Sequence, residues 1–148
     1  MIRILEKHGL PDDETRQAVY SLHEAVFGKS AGEKVQERLA GARDLLILIA
    51  QTEDGTPTGF KIGYRQDPGT FYSWLGGVLP EFRGQGIAAA LMQHQHDWAK
   101  NRGYRRVQTK TMNRWRSMLI LNLKSGFDVI GTYQAADGTV RIMLEKRL

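Results

Sequence analysis

Val78-Leu79-Pro80-Glu81-Phe82-Arg83-Gly84-Gln85-Gly86-Ile87-Ala88-Ala89-Ala90 decides how the rest of this chain reads. The run Thr70 to Leu79, rich in aromatic and β-branched residues, predicts a strand leading into it. Ile87, Ala90, Leu91, His94 and Trp98 recur at helical spacing beyond it, so the glycines lie at a strand-to-helix turn. Glycine there lets backbone approach a ligand closely, because no Cβ stands in the way. The first N–H groups of the helix have no intrahelical partner and lie at the positive end of its dipole. Such a turn cradles phosphate, and the Arg83 guanidinium can pair with a phosphate oxygen.

Outward from that turn, the periodicity changes several times. Ile2 to Leu5 predicts a first strand, and Pro11-Asp12-Asp13-Glu14 opens a helix with acidic residues in its first turn. Ala18, Leu22, Ala25 and Val26 continue that helix to Gly28, and Glu33 to Leu39 predicts a second one ended by Gly41. Asp44–Gln51, Gly59–Arg65 and Thr70–Leu79 then form three strands, joined by turns at Asp54-Gly55 and Asp67-Pro68-Gly69. Downstream of the glycine turn come the helix closing at Asn101-Arg102-Gly103, a strand Arg105–Thr111 and a helix Trp115–Lys124. Met118, Leu119 and Leu123 form the apolar side of that last helix, and Ser125-Gly126 stops it. Phe127–Tyr133 and Val140–Leu144 close the chain as a hairpin around Asp137-Gly138. The order β-α-α-β-β-β-α-β-α-β-β predicts an α+β fold layered α/β/α, in one domain over residues 1–148.

Composition narrows the classes of function. The chain has 148 residues, 41% of them hydrophobic and 25% charged, which is ordinary globular composition. It contains no cysteine, which excludes disulfides, zinc-thiolate sites and thiol nucleophiles. The N-terminus Met1-Ile2-Arg3-Ile4-Leu5-Glu6-Lys7-His8 interrupts apolar residues with charge, unlike a signal peptide, and a cytoplasmic protein is expected. The net charge of +5 favours an anionic partner. A nucleic-acid binder would cluster its basic residues with exposed aromatics, whereas here Lys and Arg are scattered through every element. His94 and His96, two apart on a helix, face different sides and make no metal pair. His94 is expected in the core, with Trp98 and Trp115 as packing anchors.

Gly84-x-Gly86-x-x-Ala89 formally fits a dinucleotide fingerprint. That fingerprint belongs to a β-α-β unit with an acidic residue about twenty positions on. Hairpins precede the turn here, and the following strand ends in Gln108, Thr109 and Lys110 without an acid. The element order and Arg83-x-x-Gly86-x-Ala88 instead resemble the Gcn5-related N-acetyltransferase (GNAT) superfamily, whose signature is Gln/Arg-x-x-Gly-x-Gly/Ala. Val78-Leu79-Pro80 matches the Val-x-Pro that ends the family's preceding strand. Asn122-Leu123-Lys124-Ser125-Gly126-Phe127 matches its second signature, a helix ending in a Gly-Phe step. The resemblance runs from Ile2 to Leu144.

The resemblance implies a mixed, mostly antiparallel sheet with about four helices, in which the parallel strands Thr70–Leu79 and Arg105–Thr111 splay into a V. A β-bulge helping to open the V is expected at Gly76-Gly77. Acetyl-coenzyme A enters the V as acyl donor, with no metal required. Its pantetheine arm pairs with the backbone of Leu75, Gly76, Gly77, Val78 and Leu79. Its pyrophosphate lies on Arg83, Gly84, Gln85, Gly86, Ile87, Ala88 and Ala89. Asn113 and Asn122 are further candidates for the arm, and Lys124 for the phosphates. The partners implied are a primary amine of a small molecule or peptide, with neither nucleic acid nor membrane; a homodimer is left open.

The reaction implied is attack of an amine on a thioester. A lysine-like amine has a pKa of roughly 10.4, so something must select or create its neutral form. The departing thiolate, of parent pKa about 8.5, gains from a proton donor. Many family members place a tyrosine there, four residues before the Gly-Phe step; this chain has Asn122, which can hydrogen-bond but releases no proton at neutral pH. Asn122 is therefore expected to orient the thioester. Tyr72 in the strand and Glu24 on the first helix are the candidate bases. An acyl-coenzyme A binding module without turnover is the alternative that Asn122 raises.

Overall fold

The computed structural model describes residues 1–28 and 32–148. In chain order its elements are β1 (Ile2–His8), α1 (Asp13–Phe27), α2 (Gly32–Gly41), β2 (Leu46–Thr52), β3 (Pro57–Asp67) and β4 (Thr70–Val78). A 3-10 turn, Pro80–Phe82, precedes α3 (Ile87–Asn101). There follow β5 (Arg106–Met112), α4 (Arg116–Lys124), β6 (Asp128–Gln134) and β7 (Val140–Arg147). The expected order of elements is the observed one. β1 runs three residues beyond the expected Leu5 because β2 supplies a full antiparallel partner, Ile2 opposite Thr52 through His8 opposite Leu46. Asp12 caps α1, its carboxylate accepting from the Thr15 N–H at 2.8 Å.

Among the described residues, seven strands form one sheet in the order β1-β2-β3-β4-β5-β7-β6. All neighbours are antiparallel except β4 and β5. Helices cover both faces, so Leu46 to Ala50 in β2 are all buried and no polar alternation survives there. On one face Val19 and Leu22 of α1 and Val35 and Leu39 of α2 pack with Ile47, Ile49, Phe60 and Ile62. On the other, Ile87, Leu91 and Met92 of α3 pack with Leu46, Leu48, Phe71, Val107 and Leu144. No described helix is long and apolar enough to cross a membrane.

Three expectations are corrected. The bulge is not at Gly76-Gly77, which stay in register opposite Lys61 and Phe60; the slip falls between Ile62 opposite Leu75 and Gly63 opposite Ser73, leaving Trp74 as the extra residue. Gly77 is needed for a different reason: a Cβ there would stand 2.9 Å from Val26 Cγ1, because α1 crosses the sheet at that point. The buried stripe of α3 is Ile87, Leu91, Met92, Gln95, His96 and Ala99 rather than the expected one. Gly63, lacking a Cβ, lets Gln95 press onto β3, and that turns His94 outward to hydrogen-bond Glu6 at 2.7 Å. In α4 the phase also differs: Leu123 is exposed, whereas Asn122 is only 3% exposed.

Candidate functional site

Hydrogen bonding between β4 and β5 covers only Thr70–Ser73 against Arg106–Thr109. Beyond that point β4 continues on β3 and β5 continues on β7, so the two strands part. Thr109 Oγ1 closes the fork by donating to the Ser73 carbonyl at 2.8 Å. The bulge at Trp74 sits at this fork and turns β4 away. A cleft of about 770 Å³ opens between the arms. In an antiparallel ladder, alternate residues point their N–H and C=O to opposite edges. The Gly77 carbonyl points into β3, 3.0 Å from a Cβ built on Gly59, and Leu79 donates to Thr58 of β3 at 2.8 Å. Gly76 and Val78 therefore turn their backbone polar groups to the gap, where an extended ligand can pair as a strand would. Arg83 Nε already donates to the Val78 carbonyl at 3.0 Å.

The cleft runs from the fork to the N-terminus of α3. Gly84 and Gly86 have φ of 79° and 80°, the left-handed region that side chains resist, and Gly86 is the N-cap. A Cβ at either position would meet no protein atom within 4 Å. Backbone conformation, not crowding by the fold, requires glycine here. The first bond returning to this turn is Ala90 N–H to Gly86 C=O, which leaves the amides of Ile87, Ala88 and Ala89 ahead of it for a ligand. No side chain caps the helix.

The charge lining the cleft is of one sign. Lys61, Arg83, Lys110, Arg114, Arg116 and Arg141 line it, and no Asp or Glu does among the described residues. Arg141 is paired with Asp137 at 3.3 Å. Lys61 is 7% exposed, and burial pushes its ammonium down to about 8. Burial pushes the Tyr72 phenol up to about 12, so at neutral pH Tyr72 donates hydrogen bonds and takes no proton. Its ring tilts against Tyr64, centroids 5.5 Å apart.

Asn122 lines the cleft from the last turn of α4. The Phe127 N–H bonds the Asn122 carbonyl at 3.0 Å, and the Gly126 N–H bonds that of Leu123 at 3.2 Å. With Gly126 at φ 99° this is a Schellman motif, and Phe127, 3% exposed, anchors it in the core. The Gly-Phe step thus fixes Asn122 in place.

The structure brings together Tyr72, Leu75, Gly76, Gly77, Val78, Arg83, Gly84, Gly86, Ile87, Ala88, Ala89 and Asn122 on the cleft wall. Gln85, Asn113, Lys124 and Glu24 are exposed and stand outside that wall, and Leu79 is half-buried behind it. Lys61 and Ser73 carry no motif that singles them out, and Trp115, packed edge-on against Phe27 at 5.6 Å and 38% exposed, is a partly buried anchor that also lines the cleft. A lysine between the apolar Phe60 and Ile62, in a strand flanked by glycines, was the one signal for Lys61.

Known proteins with this geometry are numerous. An IAA acetyltransferase from Bacillus cereus superposes with TM-score 0.81 at 18% identity, covering 100% of both chains. The ribosomal-protein-S18-alanine N-acetyltransferase from Escherichia coli superposes at 0.78 and 15% identity, over 97% of this chain and 94% of that one. A GNAT family acetyltransferase from Elizabethkingia anophelis, with acetyl-CoA bound, superposes at 0.75 and 21% identity, over 99% and 98%. At such identities these likenesses establish the fold. No curated protein matches the chain by sequence. The family profile for Acetyltransferase (GNAT) matches residues 16–116, a span holding the fork, the glycine turn and all of α3. Forked strands, a bare helix N-terminus and that match agree: the chain belongs to the GNAT acetyltransferase family.

Proposed function

We propose that this protein transfers the acetyl group of acetyl-coenzyme A to a primary amine of a small molecule or peptide. The observation that carries this reading is the continuity of the cleft from the uncapped N-terminus of α3 to the fork between β4 and β5. A pyrophosphate on the amides of Ile87 to Ala89 meets the positive end of the helix dipole. From there a pantetheine arm, itself carrying amides, reaches the backbone groups that Gly76 and Val78 turn to the gap. The cationic side chains of Arg83, Lys110, Arg114 and Arg116 around the cleft suit a cofactor bearing several phosphate charges. The thioester then lies toward the fork, beside Asn122. Amine attack on its carbonyl carbon forms the C–N bond, and the C–S bond breaks. Asn122 orients the acyl group, and the amine enters as its neutral form.

The experiment is a panel of small amines, amino acids and peptides, with coenzyme A release measured, alongside calorimetry of acetyl-coenzyme A binding. Gly86→Glu should abolish binding, since it adds strain at φ 80° and a negative charge where phosphate meets backbone. A folded Gly86→Glu protein that binds acetyl-coenzyme A as the parent does would refute the placement.

A further inference from the structure

A buried ammonium lies in the cleft with no role in the reaction as described. Lys61 extends from the centre of β3, between the fully buried Phe60 and Ile62. Its parity on the strand matches Gly59 and Gly63, whose built Cβ atoms meet Ile87 and Gln95, so it points to the face covered by α3. Gly76 is its cross-strand partner, and a Cβ on Gly76 would stand 3.5 Å from Lys61 Nζ. No carboxylate among the described residues lines the cleft to pair with it. Holding a charge out of water without a partner is costly. An apolar residue would serve the core better, so the group answers to something that enters the cleft.

We propose that Lys61 is the proton donor to the departing sulfur of coenzyme A. This rests on the acetyl-coenzyme A reading above. A ligand threaded from the α3 end toward the fork brings its acyl end past Gly76, two residues beyond the Trp74 bulge, and there meets Lys61 Nζ. Asn122, which cannot supply a proton, lines the same cleft. In the step, the amine nitrogen bonds the carbonyl carbon and the C–S electron pair goes to sulfur. Sulfur takes a proton from the Lys61 ammonium. The new amide nitrogen sheds its proton to water, and water reprotonates Lys61. Burial lowers the ammonium to about 8, into the range of the roughly 8.5 of a thiol, so it can pass a proton to a departing thiolate. Around Lys61, His96 of α3 is kept neutral by burial, titrating only near 3. Lys146 of β7 sits 3.3 Å from His96 Nδ1, and Ser73 of β4 lines the same cleft. Neither the neutral His96 ring nor the Ser73 hydroxyl competes as an acid near neutrality.

Coenzyme A itself is the probe, because its thiolate absorbs in the ultraviolet and needs no acceptor amine. Its thiol is titrated free and bound to the parent protein, Lys61→Met and Lys61→Arg. The bound thiol should titrate about one pH unit lower than free, roughly a tenfold shift. Lys61→Arg should preserve that shift and Lys61→Met should abolish it. With an amine that turns over, both variants should lose about 100-fold in kcat, with the acetyl-coenzyme A KM within about twofold, since arginine does not release its proton. Methionine fills similar space and removes an unpaired buried charge, so thermal melting should confirm an intact fold. A thiol pKa unchanged by Lys61→Met, with coenzyme A still bound, overturns the assignment. Full kcat in Lys61→Arg overturns it also. A parent protein that binds no coenzyme A overturns the cofactor reading, and this assignment falls with it.

Discussion

Asn122 shows how much one side chain's chemistry depends on the turn that carries it. Its backbone carbonyl is held by the Phe127 N–H and its side chain is nearly fully buried against the cleft, so the position of the residue is set before any ligand arrives. An amide so placed contributes a hydrogen bond and nothing that titrates. Asn122→Ala should therefore reduce kcat by about fivefold, the worth of one hydrogen bond of roughly 1 kcal/mol. The pH–rate profile should keep its parental shape. A loss of a thousandfold, with acetyl-coenzyme A binding and melting temperature intact, would mean that Asn122 participates in the chemistry itself.

Among the elements, the crossing of α1 over β4 holds the cleft wall. Val26 and Phe27 at the end of α1 line the cleft alongside Gly76 and Gly77. The 2.9 Å between Val26 Cγ1 and a Cβ on Gly77 allows no methyl group without a shift of the helix or the strand. Gly77→Ala should cost about 1–3 kcal/mol by overpacking, read as a fall in denaturation midpoint. Val26→Ala in the same chain should restore much of that, because it removes the colliding atoms. Additive losses in the double mutant would place the strain elsewhere. The bulge at Trp74 and the Thr109–Ser73 bond act at the same level: one bends β4 away and the other pins the point from which it departs.

For the molecule as a whole, acid should be the sensitive direction. His96 is buried and neutral, titrating near 3 against 6.5 for an exposed histidine, chiefly because burial opposes its charge. Its folded pKa lies below its unfolded one, so the unfolded chain binds the proton first and stability falls as pH drops from 6.5 toward 3. Glu6, held low by its hydrogen bond to His94, loses stability in the same direction. Replacing His96 with leucine should flatten that decline by roughly 1.4 kcal/mol per pH unit within the window. Urea unfolding of both proteins at several pH values from 6.5 to 4 measures it. Parallel slopes would mean that His96 charges in the folded state.

Local pattern alone carried the order of the elements, the turns at Asp54-Gly55 and Asp137-Gly138, and the glycine turn before α3. Each depends on what a few consecutive residues do with φ, with a missing Cβ or with a helix end, and these properties travel with the sequence. The phases of α3 and α4 were not legible in that way. Gln95 and His96 are buried because Gly63 makes room for Gln95 and Lys146 meets His96, and neither is near them in the chain. The bulge lay at Trp74 rather than at the glycines because register is a relation between strands, and α1 had already claimed the space above Gly77. Lys61 belongs to the same category. In the sequence it is one lysine in an alternating strand. Only when α3 covers that face and β5 leaves β4 does its ammonium become a buried charge in an open cleft. Such a pairing depends on long-range contacts, which no local window contains.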